Sequence, residues 1–316
     1  MAGGTNQKKA EELKNKGIDF YQKGDYNKAI EYFKKAIEID PDCSSAYGNL
    51  GIVYNDMGEY DKALEIFHRT IALTPDVFRS YFSIGCVYNN MKQYDKAIEY
   101  FKEAVKLEPK YADAYYNMGF SYSNKEEYEK AIECYKMTLE IDHEYEPAYN
   151  NAGYVYSMLK QYDKAIELYS KALEIEPRPL TYCNLGLSYF ELEQIEKACE
   201  YFNKAIALDP NNICACVYLG ILFARLGQYE KSIEYYNKVT ELDPDNPCAY
   251  LNLGLAYYNL EQQDKALSYI NKAIELDPNN PDPYYGLYEI YTSLNQPDKA
   301  EEYRKKSLEL GYKEEE

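Results

Sequence analysis

The chain has 316 residues, of which 46% are apolar and 28% are charged, and its formal net charge is −18. Such an excess of carboxylates repels phosphate backbones and anionic lipid headgroups, which argues against nucleic acids and membrane surfaces as partners. The sequence has neither the apolar run of a signal peptide nor one long enough to span a membrane, so we predict a soluble, cytoplasmic protein.

Eight cysteines are spread along the chain, at positions 43, 86, 134, 183, 199, 214, 216 and 248. A chain of this length can fold without disulfides, and reduced thiols that serve packing are the simplest interpretation. Cys214 and Cys216 are two residues apart on a predicted helix and therefore point to different faces. We predict no metal site among them.

Glycine recurs every 34 residues, with one interval of 33, at positions 17, 51, 85, 119, 153, 186, 220 and 254. When each glycine is numbered position 8 of its unit, position 11 is always aromatic and position 20 is almost always alanine. Apolar positions 4, 7 and 11 form one helical stripe, and positions 20, 24 and 27 form another. Each unit therefore predicts two amphipathic helices, the second of which ends at an Asp-Pro pair in several units.

This pattern resembles the tetratricopeptide repeat, a hairpin of helix A, turn and helix B. The resemblance implies an all-α, right-handed α-α superhelix of nine repeats, because each hairpin buries its second apolar face only by stacking on a neighbour. The repeats start at about residues 10, 44, 78, 112, 146, 179, 213, 247 and 281. We predict an array over residues 10–314, a flexible tail at 1–9 and an acidic end at 315–316.

The sequence offers little for catalysis. It contains only two histidines, His68 and His143, and it lacks the motifs of phosphate-binding loops, serine hydrolases and zinc proteases. Its acidic residues recur with the repeat and do not mark one place. We predict a non-catalytic protein without cofactor or metal.

Family arrays line their concave groove with helix A, and position 6 of that helix is asparagine in six repeats. These residues are Asn15, Asn49, Asn117, Asn151, Asn184 and Asn252. They resemble part of the asparagine ladder with which tetratricopeptide proteins such as O-GlcNAc transferase hold extended peptides, since a carboxamide can pair with a peptide unit. In the alternative interpretation, each asparagine satisfies only local backbone or solvent. Tyr116, Phe120 and Tyr154 lie beside the middle asparagines and predict either an aromatic surface that accepts apolar side chains of a ligand or rings that pack within the array.

A second family device, the carboxylate clamp for C-terminal tails, is matched only in part. Lys14, Asn49 and Arg79 occupy its positions, whereas Ile18 and Ser83 replace an asparagine and a basic residue.

We therefore predict an adaptor that binds an extended peptide segment of another protein in its groove. The alternatives are a structural scaffold that associates with itself and a co-chaperone-like binder of C-terminal carboxylates.

Overall fold

The computed structural model describes residues 2–313, with side chains from Asn6 onward, as an all-α array of 18 helices in that range. The chain divides into a first unit, Met1–Gln161, and a second unit, Tyr162–Glu316, which we describe separately. The first unit contains α1 (Ala2–Gln22), α2 (Tyr26–Ile39), α3 (Ser44–Asp56), α4 (Tyr60–Leu73), α5 (Phe78–Asn90), α6 (Tyr94–Leu107), α7 (Ala112–Asn124), α8 (Tyr128–Ile141) and α9 (Glu146–Met158). The second contains α10 (Tyr162–Ile175), α11 (Pro179–Glu191), α12 (Ile195–Leu208), α13 (Ile213–Arg225), α14 (Tyr229–Leu242), α15 (Pro247–Asn259), α16 (Gln263–Leu276), α17 (Asp282–Ser293) and α18 (Pro297–Glu309).

Within each unit, an odd-numbered helix A packs on the helix B that follows it, and each hairpin packs on the next. The position 8 glycine lies where the two helices of a hairpin approach most closely. A Cβ atom on Gly85 would lie 2.5 Å from the Phe101 ring, and one on Gly254 would lie 2.5 Å from Ile270 Cγ1. The repeat keeps glycine there because no room exists for a side chain.

The ends of the helices follow from local sequence. Helix B ends at a capping aspartate before proline, as at Asp40 and Asp277. The turn from helix A to helix B requires a left-handed residue, which is Gly58 in one hairpin (φ 75°) but Lys92 in the next (φ 57°). Glycine adopts this left-handed conformation without strain, but only some of the turns contain it.

A recurring stack joins the two helices of most hairpins. The aromatic ring at position 11 lies parallel to a tyrosine on helix B, as for Phe223 and Tyr235, whose centroids are 5.6 Å apart at 6°. The Lys231 ammonium lies over the Phe223 ring, 5.1 Å from its centroid. Hairpins one, three, six, eight and nine repeat this arrangement, which combines ring stacking with a cation–π contact.

The structure describes parts of both end segments. Helix α1 begins at Ala2, within residues 1–9, and the flexibility of that segment stays a prediction. At the other end, α18 is followed by Gly311 in the left-handed region (φ 97°), whose amide donates to the Leu308 carbonyl. The predicted acidic end at 315–316 lies outside the described residues.

Candidate peptide-binding surface

We call the side of each helix A formed by positions 2, 5, 6, 9, 12 and 13 the inner face. All six candidate asparagines lie on it. Asn15 is exposed, whereas Asn49, Asn117 and Asn151 in the first unit and Asn184 and Asn252 in the second are half-buried.

Several asparagine side chains already make hydrogen bonds within the protein. The Asn117 amide donates to the Asp113 carbonyl (2.8 Å), and the Asn252 amide donates to the Cys248 carbonyl (2.8 Å). Both bonds lie within one helix, as the alternative interpretation of local satisfaction describes. Asn151 instead reaches the preceding helix A, where its Nδ2 donates to the Tyr116 hydroxyl (3.0 Å). This asparagine therefore connects two repeats.

Further polar side chains, which the sequence analysis did not single out, connect neighbouring helices A of the first unit. The Ser121 hydroxyl donates to Asn89 Oδ1 of the preceding repeat (2.7 Å), and the Tyr145 hydroxyl, at the N-cap of α9, donates to Asp113 Oδ1 on α7 (2.8 Å). Burial together with the Asp113 carboxylate raises the pKa of Tyr145 well above its ordinary value, because both disfavour the phenolate. None of these residues recurs at its position through the array, so the repeat gives no signal for them.

The three predicted aromatic residues divide into two kinds. Phe120 and Tyr154 expose 40% and 48% of their surface, and both occupy position 9, on α7 and α9. Tyr116 is half-buried, with its ring 5.2 Å from the Tyr145 ring and 5.9 Å from the Tyr135 ring. A cleft of about 500 Å³ beside Phe120 is lined largely by amides, among them Asn89 and Asn117.

Of the three candidates for the carboxylate clamp, only two line the same cleft. The Lys14 ammonium lies 2.5 Å from the Glu11 carboxylate, and only 13% of the Lys14 side chain is exposed. Arg79 is exposed and lies over the Phe78 ring at 5.6 Å. Asn49 and Arg79 line one cleft of about 330 Å³, together with the small residues Ser44, Ser45, Gly48, Ser80 and Ser83. The fold thus brings Asn49 and Arg79 together, while Lys14 is engaged by Glu11.

The inner face of the second unit is more apolar. Cys183 and Leu251, both at position 5, are buried. Tyr218 takes the place of the asparagine at position 6 and stacks on Phe202 at 5.4 Å and 13°. The Arg225 guanidinium lies 4.6 Å from the centroid of the Phe190 ring.

Metal-binding groups, the two histidines and membrane-spanning helices were considered in the part of the chain that the structure describes. No group of three or more histidine, cysteine or acidic residues in it could hold a metal ion. His68 and His143 are both exposed. None of the described helices is both long enough and apolar enough to cross a membrane.

Family comparisons account for almost the whole chain. Residues 10–43 and 42–110 each match a family described as tetratricopeptide repeat, and residues 111–316 match the family described as cilia and flagella-associated protein 70 C-terminal domain. The chain belongs to the tetratricopeptide repeat family. A short relative supports this at the level of sequence. An uncharacterized protein of Methanocaldococcus jannaschii is 50% identical over 44 residues, which are 14% of this chain and 51% of that protein, so the chain spans about half of its length.

Solved structures give the same fold. A structure titled "YrrB: a TPR protein with an unusual peptide-binding site" is 30% identical, covers 58% of this chain and 95% of its own, and has a TM-score of 0.50. The Cut9-Hcn1 hetero-tetramer of APC/C has a TM-score of 0.58 at 16% identity, covering 96% and 74%. Pseudomonas aeruginosa PilF has a TM-score of 0.59 at 22% identity, covering 66% and 96%. At such identities the last two show the fold alone.

Proposed function

We propose that this tetratricopeptide protein is a non-catalytic adaptor that binds an extended peptide segment of a partner on the inner face of its first unit. One observation carries the proposal. Phe120 and Tyr154 expose large aromatic surfaces at the same position of α7 and α9, and Asn117 and Asn151 lie on the same inner face, three residues earlier in each helix. Exposed rings of this kind are favourable contact area for a ligand, because covering them removes apolar surface from water.

The neighbouring amides suit the backbone of such a ligand. Asn117 uses one amide hydrogen on the Asp113 carbonyl, and a carboxamide has a second hydrogen and an oxygen that can meet a peptide unit. Asn151 is held in place by Tyr116, so its orientation is set before a ligand arrives. The proposed ligand therefore places apolar side chains on Phe120 and Tyr154 while its backbone pairs with the asparagines.

The comparisons support a peptide as the class of ligand. The YrrB structure is titled as having a peptide-binding site, and it is similar to this chain over 58% of its length. The cysteines of the described chain are all free thiols, which supports the further proposal of a reducing, cytoplasmic location.

The aromatic pair gives the sharpest test. Peptides selected from a random displayed library on the parent chain are titrated calorimetrically into the parent and into Phe120→Ala/Tyr154→Ala. Each ring lost from a contact costs about 1.5 to 3 kcal/mol, so we expect at least a hundred-fold weaker binding by the double variant. Leu107→Ala/Leu208→Ala, which truncates two exposed leucines at the ends of helices B, is the matched control and should bind like the parent.

The ladder is tested on the same peptides. If each asparagine contributes about 0.5 to 1.5 kcal/mol, replacing both Asn117 and Asn151 by alanine weakens binding by roughly five-fold to a hundred-fold. Circular dichroism must show that this double variant is folded, because Asn151→Ala also removes the bond to Tyr116. Equal affinities would make the ladder structural. A library that yields no binder, together with self-association in light scattering, would favour the scaffold instead.

A second function, binding of a C-terminal carboxylate, is favoured by the cleft that contains Asn49 and Arg79. An exposed guanidinium and a carboxamide offer charge-assisted hydrogen bonds to a carboxylate, and the small residues around them leave room for it. Selected peptides with a free or an amidated C-terminus distinguish the two functions. If the free carboxylate binds at least ten-fold more tightly and Arg79→Ala removes that preference, the cleft is an anchor; equal binding excludes it.

A further inference from the structure

Two cysteines that the sequence does not pair lie on neighbouring repeats of the second unit. Cys183 is on α11 and Cys214 is on α13, and both pack in one apolar cluster with Phe202 and Tyr218. Cys183 has no exposed surface, whereas Cys214 is half-buried. Solvent therefore reaches Cys214 and not Cys183.

The start of α13 holds the thiols together. Asn212 caps this helix, and its Oδ1 accepts from the Ala215 amide (2.9 Å). The same oxygen lies 3.2 Å from Cys183 Sγ, which donates to it. Cys214 is the second residue of α13, two positions after Asn212, and a hydrogen bond with its thiol is the largest influence on the pKa of Cys183. The cap thus brings Cys183 against the start of α13, where Cys214 lies.

The environment makes the two thiols unequal. The Cys183 thiol has one hydrogen, which it can give either to Asn212 Oδ1 or to the Cys214 sulfur. The second arrangement stabilises the Cys214 thiolate and so lowers the pKa of Cys214, and the N-terminus of α13 acts in the same direction. The same hydrogen bond and burial raise the pKa of Cys183. Burial likewise raises the pKa of Cys199 and of Cys216, which lies two residues beyond Cys214. Cys214 therefore has the properties of an attacking thiol, and Cys183 those of a resolving thiol.

We propose that Cys183 and Cys214 are a reversible thiol–disulfide site that reacts with low-molecular-weight disulfides of the glutathione type and links the sixth repeat to the seventh. The Cys214 thiolate attacks the small disulfide, forms a mixed disulfide and releases one small thiolate. The Cys183 thiolate then attacks the Cys214 sulfur and releases the second. Two protein thiols and one small disulfide become one protein disulfide and two small thiols, which take up the two protons.

The experiment uses the full chain in mixtures of reduced and oxidised glutathione. Free thiols are blocked by alkylation after an acid quench, and the protein is digested with trypsin without reduction. We expect mass spectrometry to find the peptide of Cys183 joined to the peptide that contains both Cys214 and Cys216, with the mass of the two reduced peptides less two hydrogens plus one alkyl group on Cys216. Because two cysteines share that peptide, Cys216→Ser is the matched control and should retain the link.

Two variants test the order of the steps. Cys214→Ser should lose the link and leave Cys183 unmodified, because a fully buried thiol cannot meet the small disulfide. Cys183→Ala should accumulate the mixed disulfide at Cys214, heavier by one glutathionyl group. Circular dichroism shows that each variant is folded. The proposal is wrong if the folded parent keeps both thiols alkylatable under fully oxidised glutathione, if Cys214 links to another cysteine, or if Cys216→Ser loses the link.

Discussion

The two units are built from the same hairpin, yet their repeats are joined by different chemistry on the inner face. In the first unit, polar side chains reach from one repeat to the next, as Ser121 does to Asn89 and Asn151 does to Tyr116. In the second, apolar and aromatic groups fill the equivalent places, with Cys183 buried and Tyr218 stacked on Phe202. The fold requires only the helix contacts that include the glycine, so the inner faces are free to differ.

Both units share the close packing around the position 8 glycine. Substitutions there should lower the stability of the protein most. A Cβ atom on Gly254 would meet the Ala266 carbonyl oxygen at 3.0 Å as well as Ile270, and backbone cannot move aside. We expect Gly254→Ala to lower the free energy of unfolding by about 2 to 3 kcal/mol. Gly85→Ala should cost less, about 1 to 2 kcal/mol, because the Phe101 ring it would meet can tilt. Urea unfolding followed by circular dichroism measures both.

Gly48→Ala is the control for the glycine pair. Gly48 also lies within a helix, but a Cβ atom there would meet nothing within 4 Å. Alanine should therefore stabilise the protein by about 0.5 to 1 kcal/mol through helix propensity. If all three variants shifted stability equally, close approach would not explain why glycine recurs at position 8.

Removing a tyrosine hydroxyl should have opposite effects on stability in the two units. Tyr145→Phe leaves the Asp113 carboxylate without this donor and should cost about 1 to 2 kcal/mol. Tyr236→Phe in the second unit should instead stabilise the protein by about 1 kcal/mol, because its hydroxyl is buried without a hydrogen-bond partner among the described residues. Phe202 shows that the same position accepts phenylalanine. Thermal melts that moved in the same direction would contradict the contrast.

The smallest expected effect concerns surface charge in the first unit. Hydrogen bonds from Lys125 and Lys130 lower the pKa of Glu127 from 4.5 to about 2. Because the folded value is depressed, its contribution to stability is present above pH 4.5 and is lost as the pH falls towards 2. The stability change should be slight, since these side chains lie at the protein surface, where solvent screens ion pairs. Carbon NMR of the carboxyl group should give a midpoint near 2 in the parent and a clearly higher one in Lys125→Ala.

The second unit supplies the comparison for that titration. Its Glu167 is paired with Lys171 within one helix turn, and this local partner lowers the pKa of Glu167. Lys125, by contrast, also reaches Asp95 of the preceding repeat at 2.6 Å. Lys125→Ala should leave the midpoint of Glu167 unchanged, and a shift there would mean that the variant disturbs the fold as a whole.

The amino-acid sequence alone determined the hairpins. Glycine at position 8, the aromatic residue at position 11 and alanine at position 20 recur with a fixed interval, and their contacts lie within one hairpin or its neighbour. Such short-range contacts are repeated in every unit, so the period predicts them without coordinates. It also placed the six asparagines on one face, because every residue at position 6 points the same way from helix A.

Only the tertiary structure decided what those side chains touch. Asn117 and Asn151 both occupy position 6, yet the Asn117 amide donates a hydrogen bond within its own helix, while the Asn151 amide donates one to Tyr116. Likewise, Cys183 and Cys214 are 31 positions apart in the sequence and meet through the cap at Asn212. A hydrogen bond forms over about 3 Å and depends on the rotamers of both partners. The repeat period predicts the face that a residue occupies, but not the neighbour that its side chain finds there.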